Sequence, residues 1–138
     1  MDKQLKTGLL TVVLPSYNEE ASVPRAAQTI AALLSEAEIR YELLFVDDGS
    51  RDDTYTVAEE YRKKYPDKII LLKNEKNMGL NYTLNRCIEY VSGKYIARMD
   101  GDDRSLPNRF QVEVDYLDSH PEYALVSANL EVFDDEGV

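Results

Sequence analysis

The chain has 138 residues, one domain's worth and enough to bury a core. Its apolar and charged fractions, 43% and 30%, are those of a soluble globular protein and argue against a disordered segment. A net charge of −10 argues against a nucleic-acid partner, because the Lys and Arg residues are scattered among more numerous acids and form no basic stripe.

The opening Met1 to Lys6 does not read as a signal peptide, and the longest weakly polar stretch, Ala26 to Leu34, is far too short to span a bilayer. No membrane segment is expected in this chain, and any membrane association is left to regions outside it. Leu9 to Leu14 is a continuous apolar run, as in a strand buried on both faces. Pro15-Ser16-Tyr17-Asn18 breaks it. The spacing of Val23, Ala27, Ile30 and Leu34 predicts a helix over Glu20 to Glu36. Tyr41 to Val46 reads as the second strand and closes on Asp47-Asp48-Gly49-Ser50, where Gly49 is expected in a left-handed turn conformation. Asp52 or Asp53 should cap a helix running to Tyr65, with Val57, Ala58 and Tyr61 facing inward and Pro66 stopping it.

Lys68 to Leu72 is the third expected strand. After Asn74 to Gly79, a helix should bury Leu80, Leu84, Cys87, Ile88 and Val91 and end at Ser92-Gly93. Cys87, the single cysteine, fits core packing and a reducing, cytoplasmic compartment. Lys94 to Met99 forms the fourth strand, delivering Asp100, Asp102 and Asp103. Pro107 then suits a first helical turn, with Phe110, Val114 and Leu117 facing in. Tyr123 to Phe133 reads as a fifth extended segment, and Asp134 to Val138 as a hairpin turn without its returning strand. This order predicts an α/β, Rossmann-like fold, a mainly parallel sheet with helices on both faces. An unpaired edge at Tyr123 to Phe133 would invite dimerisation.

Two acidic strand ends suggest a metal-assisted site for a phosphate-bearing ligand, since crowded carboxylates need a cation to hold them together. No Gly-x-Gly-x-x-Gly and no Gly-x-x-x-x-Gly-Lys-Ser/Thr occurs, which argues against dinucleotide-binding and P-loop folds. The only histidine, His120, lies at a helix end and suits neither a triad nor an imidazole zinc site. Alternate residues Asp100 and Asp102 could converge on Mg²⁺ or Mn²⁺ if the turn curls. Asp103 could ligate, contact the bound ligand or cap the next helix with Ser105. Arg98 and Arg109 are expected to balance charge. Asp47 reads as a turn acid capping Gly49 and Ser50, Asp48 as an acceptor for a base N–H, and Tyr17 as a ring for a base to lie against.

Val13-Leu14-Pro15-Ser16-Tyr17-Asn18-Glu19-Glu20, Phe45-Val46-Asp47-Asp48-Gly49-Ser50-Arg51-Asp52, Asn77-Met78-Gly79 and Gly93 to Asp103 resemble, in order, the motifs of family 2 glycosyltransferases. The resemblance spans nearly the whole chain and covers the nucleotide-binding half of such enzymes. It implies a GT-A fold and metal-dependent, inverting transfer of sugar from a nucleotide-sugar, by default a UDP-sugar. It further implies that Pro15, Tyr17 and Glu19 line base and ribose, that Asp48 meets the base, and that Asp100 and Asp102 hold Mn²⁺ or Mg²⁺ at the diphosphate. The acceptor, whether glycan, lipid-linked or protein, and the general base are expected beyond residue 138, so residues 1–138 alone should not turn over. Two other readings compete. A receiver-type signalling domain would need its acidic pair after the first strand, where Pro15-Ser16-Tyr17 stands. A nucleotide-binding module without catalysis is the other.

Overall fold

The computed structural model describes residues 6–36 and 39–132; Met1 to Leu5 and the turn at Asp134 to Val138 lie outside the described residues. The chain divides into two compact units, residues 1–105 and 106–138.

The first unit contains β1 (Lys6–Ser16), α1 (Val23–Glu36), β2 (Arg40–Asp47), α2 (Thr54–Lys64), β3 (Ile69–Lys73), α3 (Leu80–Ile88) and β4 (Gly93–Arg98). Its four strands are parallel and lie in the order β3-β2-β1-β4. The expected fold class is therefore correct. From β1 the chain builds outward through β2 and β3, then returns to place β4 on the other flank of β1. That reversal makes the carboxyl ends of β1 and β4 the topological switch point, where open α/β sheets bind ligands.

Burial on both sheet faces explains the unbroken apolar runs. Leu10, Val12, Val13 and Leu14 of β1 and Leu43 to Val46 of β2 are all buried. The expected inner face of α1 (Val23, Ala27, Ile30, Leu34) is also buried. One core cluster joins Val13, Leu44, Val46, Cys87 and Val91, with Leu84 packed against it. Cys87 is a core residue, as its position predicts, and burial pushes its thiol up to about 11.

Several local expectations are corrected. In α3 the inward residues are Thr83, Leu84 and Cys87, while Leu80 and Ile88 are 44% and 60% exposed. The helix ends at Ile88, four residues earlier than Ser92 suggests, so Ile88 leaves the buried stripe. In α2 the Asp53 side chain makes no capping bond; Asp52 Oδ1 accepts from Thr54 N at 3.0 Å instead.

In the second unit α4 spans Arg109–Ser119, so Pro107 precedes the helix rather than opening its first turn. Of the expected inward residues Phe110 is buried, with Val114 and Leu117 half-buried. His120 stacks on Tyr116 with ring centroids 4.1 Å apart, and its Nδ1 lies 2.9 Å from the Tyr116 carbonyl. The fifth strand is not formed within residues 123–132, where Leu125, Leu130 and Val132 are exposed; Phe133 lies outside the described residues. A strand owes its stability to a pairing partner rather than to its own pattern, and this segment has none among the described residues. The edge on which dimerisation was expected is thus not formed there.

Candidate functional site: an acidic cleft at the strand ends

Register sets the site. Ser16 pairs with Asp47 and Asp47 with Lys73, while Val13 pairs with Arg98, so the loops following all four strands emerge at one edge. They frame a cleft of about 370 Å³ lined by Pro15, Ser16, Tyr17, Glu19, Asp48, Asn77, Gly79, Leu80, Thr83, Asp100 and Asp102. All six residues expected to meet nucleotide or metal therefore line one cavity, although they come from three separate loops. Asp103 is absent from that lining; its backbone N–H closes the turn on the Asp100 carbonyl at 3.1 Å.

The first two loops are zipped together by reciprocal bonds. Asn18 N–H donates to Ser50 Oγ (2.9 Å), and Arg51 N–H donates back to Asn18 Oδ1 (2.9 Å). Glu19 N–H donates to the Thr54 hydroxyl (2.8 Å), and Asp53 N–H to Glu20 Oε2 (3.0 Å). Asn18 takes a left-handed φ of 51°, which Asn tolerates better than most residues. This clamp fixes the backbone that follows Tyr17, a residue 38% exposed at the cleft.

The acidic turn after β2 divides its two carboxylates. Asp47 Oδ1 accepts from Ser50 N–H at 3.1 Å, the turn role its position suggests. Asp48 is buried, and its carboxylate is turned into the third loop: Oδ1 accepts from Asn74 Nδ2 (2.8 Å) and Met78 N–H (2.8 Å), Oδ2 from Gly79 N–H (3.1 Å). The Asn77-Met78-Gly79 motif thus meets Asp48 through backbone amides, a contact between residues thirty apart that local pattern could not reveal. Gly49 has φ +70°, as expected, and a Cβ there would lie 2.2 Å from the Lys76 carbonyl carbon. Only glycine permits both the turn and the close approach of the third loop.

The turn after β4 brings negative charge against negative charge. Glu19 Oε2 and Asp47 Oδ2 are buried without hydrogen-bond partners. A Cβ on Gly101 would lie 2.0 Å from Glu19 Oε2, so the lack of a side chain lets Glu19 lie against that turn. Burial, then the charges of Asp102, Asp100 and Asp103, push the Glu19 carboxyl up to about 7. Arg98 supplies a counter-charge 3.3 Å from Asp100 Oδ1, while Arg109 pairs with Glu113 at 3.1 Å in its own helix.

Four of the lining residues are carboxylates and none is Lys or Arg. An orphaned carboxylate oxygen among acids is the environment a hard divalent cation stabilises, so the donor set fits such an ion chemically. No three His, Cys, Asp or Glu side chains among the described residues are already drawn together as a ligand set. Sequence reasoning missed Thr83 and Asn74 in this region. Thr83 carried a signal, as a polar residue at an inward position of α3.

A profile of the family described as "Glycosyl transferase family 2" matches residues 11–138. EpsE of Bacillus subtilis (strain 168), whose name proposes a glycosyltransferase, is 38% identical over 129 residues, covering 94% of this chain and 45% of EpsE. The amylovoran biosynthesis glycosyltransferase AmsE of Erwinia amylovora is 32% identical over 130 residues, covering 94% of this chain and 48% of AmsE. This chain spans about half the length of these relatives. Among solved structures, the mannosyltransferase PcManGT of Pyrobaculum calidifontis, in complex with GDP-Man and Mn²⁺, superposes with a TM-score of 0.70 at 22% identity, covering 78% of this chain and 32% of that one. S. aureus TarS 1–349 in complex with UDP-GlcNAc gives 0.69 at 24% identity, covering 81% and 32%. At such identities the superpositions establish the fold. With motifs, fold and profile match in agreement, the chain belongs to glycosyl transferase family 2.

Proposed function

We propose that this chain is the donor-binding part of a metal-dependent, inverting glycosyltransferase that takes its sugar from a nucleotide-sugar, with UDP as the nucleotide. The observation that carries the metal requirement is the cleft's four carboxylates without a lining Lys or Arg. A diphosphate entering such a cleft meets only repulsion unless a cation accompanies it. Tyr17 lies against the base, Pro15 and Glu19 flank base and ribose, and the remaining acceptor capacity of Asp48 takes a base N–H. Asp100 and Asp102 would hold Mn²⁺ or Mg²⁺ at the diphosphate, with Asp103 left to contact either the ion or the donor sugar. A cation held there neutralises charge developing on the diphosphate leaving group. Inversion also needs a base to deprotonate the acceptor hydroxyl, and no cleft residue described here is assigned that role. The named ligands of relatives support the donor class: WfgD of Escherichia coli, 30% identical over 109 residues, is named as a glucosyltransferase using UDP-Glc.

Calorimetric titration of UDP, GDP and TDP with and without Mn²⁺ tests this reading. Binding should strengthen markedly with the metal; equal affinity in its absence would remove the bridging cation. Asp102→Asn should abolish the metal effect. Asp48→Asn should weaken nucleotide binding by about 1.5–3 kcal/mol, the range of a charged hydrogen bond, while keeping the metal effect. Identical behaviour of the two variants would defeat the division of roles.

A further inference from the structure

Asn74 directly follows β3, is 3% exposed and stands behind the cleft wall rather than in it. All of its N–H and side-chain polar groups are engaged. Its backbone N–H donates to the Asp47 carbonyl (2.8 Å), and its Nδ2 donates to Asp48 Oδ1 (2.8 Å) and to Thr83 Oγ1 (2.9 Å). Its Oδ1 accepts from Arg86 Nη1 (2.7 Å), which also donates to the Lys73 carbonyl (2.7 Å). Neighbour chemistry dictates the amide's orientation. A guanidinium can only donate and a carboxylate can only accept, so one of the two flip states satisfies both sides.

We infer that Asn74, oriented by Arg86, is a positioning residue that sets the Asp48 carboxylate for recognition of the donor's base. Asp48 Oδ1 is filled by Asn74 and Met78, whereas Oδ2 accepts only from Gly79. Oδ2 is therefore the oxygen left with capacity for a base N–H. Three bonds from three residues pin the carboxylate plane; without Asn74, only two adjacent backbone amides would hold it. The same amide grips Thr83, itself a lining residue, so one side chain fixes two points of the cleft wall. Asn74 touches no ligand in this scheme. It acts through Asp48.

The inference rests on the reading that Asp48 meets the base, and base-free ligands separate the two. UDP, GDP and ribose 5-diphosphate are titrated calorimetrically, each with Mn²⁺, into wild type, Asn74→Asp, Asn74→Ala, Arg86→Met, Asp48→Asn and the Asn74→Asp/Asp48→Asn double variant, with thermal melts alongside. Asn74→Asp keeps the volume but faces Asp48 with a second carboxylate; it should weaken the preferred nucleotide by about tenfold and change ribose 5-diphosphate by less than about twofold. Arg86→Met should shift the same preference by a smaller factor, and the double variant should lose little beyond Asp48→Asn alone. If Asn74→Asp does not fold, Asn74→Ala, which lacks the repulsion, is expected to show the same selective loss. Equal losses for nucleotide and base-free ligand in a folded Asn74 variant would make Asn74 a merely structural residue and overturn the inference. Unchanged affinities would overturn it too. A wild type that does not prefer UDP or GDP over ribose 5-diphosphate would instead refute the role given to Asp48.

Discussion

At Glu19 a half-buried carboxyl is pressed against a turn that carries three more acids, and its affinity for a proton rises to about 7. The consequence for stability has a definite sign. Between the ordinary value of 4.5 and about 7, the folded state keeps a proton that the unfolded chain releases. Stability of the metal-free protein should therefore be fully supported by this group below about 4.5 and lost as pH rises through about 7. Glu19→Gln, neutral at every pH, should flatten that part of the profile, as read by thermal melts across the interval. An unchanged slope in the variant would show that another group controls it. Gly101 belongs to the same arrangement, because any side chain there would displace the Glu19 carboxylate from the turn.

Among the elements, the strands are joined at the end opposite the cleft by a buried polar knot. Glu42 on β2 accepts from the Thr11 hydroxyl of β1 (2.7 Å) and from both the N–H (3.0 Å) and the hydroxyl (2.8 Å) of Ser92, just before β4. Thr11 Oγ1 in turn accepts from Gly93 N–H at 2.9 Å. One carboxylate thus ties β2, β1 and the segment entering β4. Thr11 pairs with Glu42 on one side and Ile96 on the other, so the knot also reinforces the register that aligns the cleft loops. Glu42→Ala leaves buried donors unsatisfied and should cost about 2–3 kcal/mol, measurable by urea unfolding. A loss much below that range would mean that the donors find other partners. Such a polar pair amid apolar runs is visible in sequence only as an interruption; its partners lie 31 and 50 residues away.

For the whole molecule, charge governs how ligand arrives. A chain of net charge −10 with an acid-lined cleft repels a nucleoside diphosphate at long range. Without divalent metal, raising KCl from about 0.02 to about 0.3 M should strengthen residual UDP binding by screening that repulsion. With Mn²⁺ present the dependence should reverse, because screening then weakens the attraction of nucleotide to bound cation. Calorimetry at the two salt levels reads both signs. The same sign under both conditions would contradict the view that local repulsion controls metal-free binding. No helix among the described residues is long and apolar enough to cross a membrane.

The amino-acid sequence by itself determined the order of the elements, because burial on both faces imposes continuous apolar strands and helices declare their inner side by periodicity. It also determined that Asp48, Asp100 and Asp102 stand at strand ends and that Gly49 turns left-handed, both being local properties. Periodicity faltered where helix ends depend on context, as at Leu80 and Ile88, and where a strand lacked a partner, as at Tyr123 to Phe133. Only the tertiary structure decided the order β3-β2-β1-β4, and with it the meeting of the four strand-end loops in one cleft. It alone decided that the amides of Met78 and Gly79 hold Asp48, that Arg86 orients Asn74, and that Glu19 is buried against Gly101. Those contacts join residues far apart in the chain, and their energies arise from desolvation and hydrogen bonding that no local pattern records.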